Sequence, residues 1–339
     1  MKRFVKLITL LLALLMLTAC GAATVSRPEQ NVPQRVVDAF MEVKQYSLEP
    51  VTPEHGEDYV IEWEDPGMEA HIRFLLDKPD GDIRHSDVWD VQLLRIDTVN
   101  DAGYMISEPP QGYERIDWEY LVYESEGKDY GEQEFPAVQS LRDLRHFDSL
   151  QVFEGYFAHT GSGSLYGAFQ VKDLSGLEEC RNLVVLGLSG IDPDSLEPLA
   201  GVTSLRQLYL TPLNSVSLEP LTKLSNLQLL SLAFLEDYPT LEPLTRTTVK
   251  YLDLSQSYFG RIGLEPMDYE YLAQIPELYY LDVSNLPDFN EEACGAILEG
   301  CKNLRHLNIS YTDAADAITW GRWDPDLSTL ISFEGTPTK

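Results

Sequence analysis

Seven side chains in the carboxyl-terminal half of the chain combine chemistry with regular spacing. Asp253 stands two positions after Tyr251, Asp282 two after Tyr280, and Asn308 two after His306, with Tyr209 in the same frame further upstream. On an extended chain, residues two apart point to the same side. A tyrosine and a carboxylate sharing a face offer a large contact area and an acceptor for a basic or amine-bearing ligand. That is the chemistry of holding a basic group, and it needs no turnover. The plainer reading is that tyrosine favours strands and its outward face binds nothing. Signals for catalysis are missing by comparison. The six histidines include no i, i+4 pair, no Cys or His pair has metal-ligand spacing, and His159-Thr160-Gly161-Ser162-Gly163-Ser164 matches neither a nucleophile elbow nor a phosphate loop. The sequence therefore predicts no catalytic residue, no metal and no cofactor. The partner-binding residues it nominates are Tyr209, Tyr251, Asp253, Tyr280, Asp282, His306 and Asn308.

These positions fall inside a repeat. LVVLGLSG (183–190), LRQLYLTP (205–212), LQLLSLAF (227–234), VKYLDLSQ (249–256), LYYLDVSN (278–285) and LRHLNISY (304–311) share the spelling L-x-x-L-x-L, with first residues 22, 22, 22, 29 and 26 apart. The period is that of leucine-rich repeats. One unit is too small to bury its own leucines, so successive coils must stack into a continuous core. Leu208 and Leu210 alternate with Gln207, Tyr209 and Thr211, the pattern of a strand with one solvated face. The expected fold is an α/β solenoid, a leucine-rich-repeat arc with a parallel sheet on its concave face. A recurring Leu-Glu-Pro-Leu at 196–199, 218–221 and 241–244 marks the returning side, because proline cannot join a central ladder. Weaker matches at Val91-Leu94-Ile96, Trp118-Leu121-Tyr123 and Leu150-Phe153-Gly155, with Leu327 and Leu330 as a closing coil, bring the expected count to about ten coils.

An open stack exposes its first coil and needs a cap. Asp65 is placed to cap a helix beginning at Pro66, and Met68, Ile72, Leu75 and Leu76 give it an apolar stripe before Pro79 and Gly81 end it. With Asp65-Pro66, Arg73 and the turn Lys78-Pro79-Asp80-Gly81-Asp82-Ile83, this leader resembles that of internalin-type and related bacterial surface leucine-rich-repeat proteins. The resemblance covers residues 63–97 and 141–333 and implies protein recognition or adhesion. One departure stands out. The family places Asn three residues after the last strand leucine, whereas Ile191, Leu213 and Leu235 occupy those positions here. An apolar ladder is therefore expected in place of a polar one.

The amino terminus carries a different signal. Lys2, Arg3 and Lys6 precede an apolar run of 11 residues, Leu7 to Leu17, which ends in Leu17-Thr18-Ala19-Cys20-Gly21. The run is too short to span a bilayer and right for a secretory leader. The motif resembles the lipobox of bacterial lipoproteins, which implies cleavage before Cys20 and a diacylglyceryl thioether on its sulfur. The organisation expected is a leader (1–19), a tether (20–35), a segment with a helical cap leading into the first strand (36–97), an irregular insertion holding at most one degenerate repeat (98–140), the repeats with a closing coil (141–333) and a tail (334–339).

Charge and cysteine usage narrow the partners. With 25 Lys+Arg against 55 Asp+Glu, a net charge of −30, the chain is unsuited to nucleic acid. Cys180 and Cys301 share a repeat column five coils apart, too far for a disulfide, and Cys294 lies seven before Cys301. All three are expected as buried thiols. The reading is a monomeric, lipid-anchored, extracytoplasmic module, at the bacterial cell surface or in the periplasm. It would bind a protein or peptide, preferably basic, through its concave face. The alternative is recognition of carbohydrate or cell wall; an enzyme is not expected.

Overall fold

The structure, a computed structural model, describes residues 51, 54–97, 102–106, 128–129, 135–156, 171–211, 213–214, 216–233, 235–237, 240–255, 267–330 and 332–335. By contacts the chain forms two units, Met1–Val37 and Asp38–Lys339; the first, with the leader, Cys20 and the rest of the tether, lies outside the described residues.

The second unit is built on β1 (Leu93–Asp97), β2 (Ala102–Ile106), β3 (Lys128–Asp129), β4 (Val152–Tyr156), β5 (Val185–Ser189), β6 (Gln207–Thr211) and β7 (Leu213–Asn214). It continues through β8 (Leu229–Ser231), β9 (Leu235–Asp237), β10 (Tyr251–Asp253), β11 (Tyr280–Asp282), β12 (His306–Asn308) and β13 (Ser332–Glu334). Nine strands form one parallel ladder in the order β1-β4-β5-β6-β8-β10-β11-β12-β13. The chain is a leucine-rich-repeat solenoid. Its inward column runs through Leu94, Phe153, Leu186, Leu208, Leu230, Leu252, Leu281 and Leu307, opposite one another in register and all buried. Alternation within each strand sends the neighbouring residues to the other face.

Two expectations change. The ladder holds nine strands, because β1 pairs directly with β4 (Leu93 opposite Val152, Asp97 opposite Tyr156). That pairing leaves no slot for a coil from 98–140, and Trp118-Leu121-Tyr123 lies outside the described residues. Instead β2 runs antiparallel to β1 along five residues, and β3 pairs antiparallel with β2. The insertion thus covers the backbone edge that the first coil would otherwise expose. At the other end, β13 closes the ladder on β12 through three residues.

The second change concerns the polar ladder. Ile191 is buried and bridged to Val171, and β7 pairs with β9 in a separate two-stranded ladder, so backbone pairing serves that part of these coils. A side-chain ladder nevertheless exists, shifted to the residue just before the first residue of five of the six repeats. Asn182 Nδ2 donates to Asp148 O, Ser204 Oγ to Leu183 O, Asn226 Nδ2 to Thr203 O, Thr248 Oγ1 to Leu227 O and Asn303 Nδ2 to Pro276 O, each a carbonyl of the preceding coil.

Leu-Glu-Pro-Leu starts a 3-10 helix in three coils, at Glu197–Gly201, Glu219–Lys223 and Glu242–Arg246, with proline in the first turn, where a missing N–H costs nothing. The last coils return through α-helices, α2 (Glu291–Gly300) capped by Asn290 and α3 (Asp313–Thr319) capped by Thr312. An α-helix of ten residues in place of a 3-10 helix of five accounts for the longer period there.

The cap helix α1 (Pro66–Leu75) buries Met68, Ile72 and Leu75 as expected, together with His71. Asp65 accepts the N–H of Met68 at 2.8 Å and also those of Gln139 and Ser140. Asp143 returns the arrangement by accepting the N–H groups of Glu64 and Asp65. Two buried carboxylates thus fasten the cap to the first full coil. Cys180, Cys294 and Cys301 are buried and free, and burial pushes their thiols up to about 12, 12 and 11, which keeps them protonated and unreactive.

Candidate functional site

The outward face of the ladder is ordered by register into two columns. One runs Leu93, Val152, Val185, Gln207, Leu229, Tyr251, Tyr280, His306, Ser332; the other runs Arg95, Glu154, Gly187, Tyr209, Ser231, Asp253, Asp282, Asn308, Glu334. All seven nominated residues stand on this face. Adjacent pairs meet as the spacing implies: Tyr251 opposite Tyr280, Asp253 opposite Asp282, His306 opposite Tyr280 and Asn308 opposite Asp282.

Their exposure differs from expectation. Tyr209, Tyr251, Asp253 and His306 are only 8%, 6%, 8% and 9% exposed, while Tyr280, Asp282 and Asn308 are half-buried. The four buried residues do not stand free as a displayed stripe. Tyr209 and Tyr251 belong to a second apolar cluster with Leu93, Val152, Val184, Val185 and Leu229, and Tyr279 and Tyr280 pack against it. The physical reason is crowding: parallel strands lie about 4.8 Å apart, so large outward side chains cover one another. Tyr251 and Tyr280 stack at 6.3 Å between centroids, and Tyr279 leans on both Tyr251 and His306. Truncating Tyr251 would therefore cost stability as well as surface, and Tyr280 is the better probe.

The acids of the second column have a structural use. Ser255 N–H donates to Asp253 Oδ1, Ser284 N–H to Asp282 Oδ1 and Ser310 N–H to Asn308 Oδ1. Each is an Asx turn that ends its strand. The other oxygens are turned to neighbours on the face: Asp253 Oδ2 accepts from Ser231 Oγ at 3.3 Å, and Asp282 Oδ2 accepts from Asn308 Nδ2 at 2.9 Å and from the Tyr280 hydroxyl at 3.3 Å. Burial, then the charge of Asp282, pushes the Asp253 carboxyl up to about 7. Burial and the same two carboxylates raise the Tyr280 phenol, which stays protonated and available as a donor.

A second constellation has no signal in the sequence. His55, His85 and His146 are far apart in the chain, yet the cap gathers them. Asp148 Oδ2 lies 3.0 Å from His55 Nδ1 and 3.2 Å from His85 Nε2, His55 Nε2 is 3.1 Å from Asp90, and the Tyr59 hydroxyl meets His146 Nδ1 at 2.8 Å. His55 stacks on Trp89 and Tyr59 on His85. These contacts bind the 54–64 segment to the first coils, alongside the Arg84–Asp58 and Arg145–Glu64 ion pairs. Among the described residues no group of three or more His, Cys, Asp or Glu is placed to hold a metal ion.

The cap histidines give a pH prediction. Burial lowers His146 to about 4, helped by Arg145 and His85, and lowers His71, stacked on Phe135 at 4.4 Å, to about 4 as well. An unfolded histidine titrates near 6.5, so between about pH 4 and 6.5 the unfolded chain binds more protons. The histidine contribution is whole above pH 6.5 and is lost as pH falls towards 4. Asp253 acts with the opposite sign, its raised carboxyl weakening the fold as pH rises from about 4 to 7. The comparison is therefore wild type against His71→Leu: thermal melts should show a smaller fall in Tm for the variant between pH 6.5 and 4.5. Parallel curves would mean His71 is charged in the folded chain.

No protein-family model matches the chain. It is similar to the solved structure of internalin C2 from Listeria monocytogenes, at 17% identity over 81% of this chain and 93% of that one, with a TM-score of 0.46. For the internalin InlF of the same organism the values are 15%, 81%, 76% and 0.38. For a leucine-rich-repeat protein of Leptospira interrogans they are 14%, 59%, 61% and 0.24. The repeat assignment rests on strand register and the L-x-x-L-x-L spacing. No described helix is long and apolar enough to cross a membrane.

Proposed function

We propose that this chain is a lipid-anchored, extracytoplasmic binding protein that takes a protein or peptide partner on the outward face of its parallel sheet, the concave side of the stack. The observation that carries the reading is the state of that face at its carboxyl-terminal end. There Tyr280, Asp282 and Asn308 are half-buried and held by hydrogen bonds to one another and to the Asx turns, over a bed of Tyr209, Tyr251, Asp253 and His306. Side chains already fixed by their neighbours lose little freedom on binding, and tyrosine supplies large contact area. Solenoids use such extended faces for recognition. The lipobox supplies the anchor through acyl chains on Cys20.

The test places a photo-crosslinking residue at Tyr280 and, in a second protein, at Glu219 on the returning side. On intact cells the Tyr280 position is expected to yield a discrete protein adduct absent from the Glu219 position. Adducts from Glu219 alone would move the site to the opposite side.

A further inference from the structure

We infer that the partner lays an acidic peptide segment across the entries to β10, β11 and β12, with carboxylates meeting Lys250 and Arg305 on either side of Tyr279. The inference rests on the sheet-face reading and gives one edge of that face a chemistry.

The site is a third column, formed by the residue just before each strand. It runs Val184, Arg206, Gln228, Lys250, Tyr279, Arg305, and from Arg206 onward each N–H donates to the carbonyl of the residue before it in that order. In a chain with 25 Lys+Arg against 55 Asp+Glu, the last five of these positions hold three cations and no acid. Register thus concentrates positive charge along one edge of a molecule that is strongly negative as a whole. Charge complementarity fits that edge to an anionic partner. The basic partner expected from Asp253 and Asp282 finds less to hold, because Asp253 already accepts from Ser255 and Ser231, and Asp282 from Ser284, Asn308 and Tyr280.

The cations keep their charge for a ligand. Arg305 Nη1 donates to the Lys302 and Leu304 carbonyls at 3.0 and 2.7 Å, neutral acceptors that orient the guanidinium without neutralising it. Lys250 Nζ lies 3.6 Å from Glu277 Oε2 with both side chains open to solvent, a pairing that is weak in water and readily exchanged. Tyr279, half-buried between them, leans on Tyr251 and His306 and offers ring area at a fixed place. Asp253 and Asp282 stand three residues beyond Lys250 and Tyr279, about 10 Å along the strand, more than the Debye length of ~8 Å at physiological salt. Spacing favours a peptide. Lys250 and Arg305 are two strands apart, about 10 Å, the span of three residues of extended chain. A phosphate polymer would bring far more charge than this column can neutralise and would meet repulsion from the remaining acids.

The experiment titrates the full chain with a peptide carrying glutamate at every third residue, with its glutamine counterpart, and with polyphosphate, at physiological salt to screen distant charges. The glutamate peptide is expected to bind at least about tenfold more tightly than either of the others. Lys250→Gln and Arg305→Gln should each weaken it about tenfold. Lys223→Gln, the same change of charge at an exposed position on the returning side, should leave it unaltered. Equal binding of the two peptides, an equal loss in Lys223→Gln, or polyphosphate binding as tightly as the glutamate peptide would overturn the acidic-peptide site. Should Arg305→Gln fail to fold for want of its carbonyl contacts, Lys250→Gln decides by the same criteria. Any of these failures, together with a persisting adduct at Tyr280, would leave the sheet face standing as the interface. Absence of both the adduct and peptide binding would remove the face itself.

Discussion

Arg95→Met is expected to lower the unfolding free energy by about 3–5 kcal/mol, because it takes the cation from beside a carboxylate buried in the sheet face. Glu154 is 1% exposed and stands opposite Arg95 across the β1–β4 pairing. Desolvating an ion costs more than most contacts return, so the pair as a whole need not stabilise the fold. Removing one member alone is different, since the remaining charge keeps the cost and loses the compensation. The double variant Arg95→Met with Glu154→Leu should recover most of the loss, with apolar side chains joining Leu93, Val152 and Val185 on that face. Urea melts of the two single variants and the double form the cycle. A loss of under about 1 kcal/mol for Arg95→Met would mean that water reaches the pair.

Cys20→Ser is expected to move nearly all of the chain from the membrane to the soluble fraction and to abolish labelling by a tagged fatty acid. The apolar run of 11 residues, Leu7 to Leu17, is too short to hold the bilayer by itself. A net charge of −30 repels anionic headgroups, so nothing else in the composition favours the lipid surface. Acyl chains on one sulfur would carry the attachment, at about 0.8 kcal/mol per buried methylene. Persistence of the serine variant in washed membranes would point to another anchor and set the lipobox reading aside.

Much of the architecture was legible in the chain. L-x-x-L-x-L fixes which residues face inward, and the strand register puts the nominated tyrosines and aspartates on a common outward face as the spacing implies. What spacing could not convey was depth. Gln207, Tyr209 and Tyr251 alternate as solvated positions do, but neighbours on adjacent strands, remote in sequence, cover them. The inter-coil polar ladder was visible in principle, since Asn182, Ser204, Asn226, Thr248 and Asn303 each precede a repeat's first residue. It does not run through the position after the strand, which Ile191, Leu213 and Leu235 occupy. The gathering of His55, His85 and His146 was not readable at all, because no periodicity links a leading segment to the turns it crosses. The role of 98–140 likewise turned on antiparallel pairing, which leaves no repeat signature.

The two ends of the ladder are unequal, and this gives the solenoid a direction of unravelling. Its first strand is bonded on both sides, by β4 and by the antiparallel β2, and the cap is fastened through Asp65 and Asp143. Its last strand has three residues and one described neighbour. A linear stack loosens where a unit has fewest neighbours, so fraying starts at β13 and travels inward through β12 and β11. The half-buried tyrosine and aspartate on β11 lie near that softer terminus, where a partner that spans several coils would act as a splint, and occupancy would be felt as rigidity well beyond the residues touched.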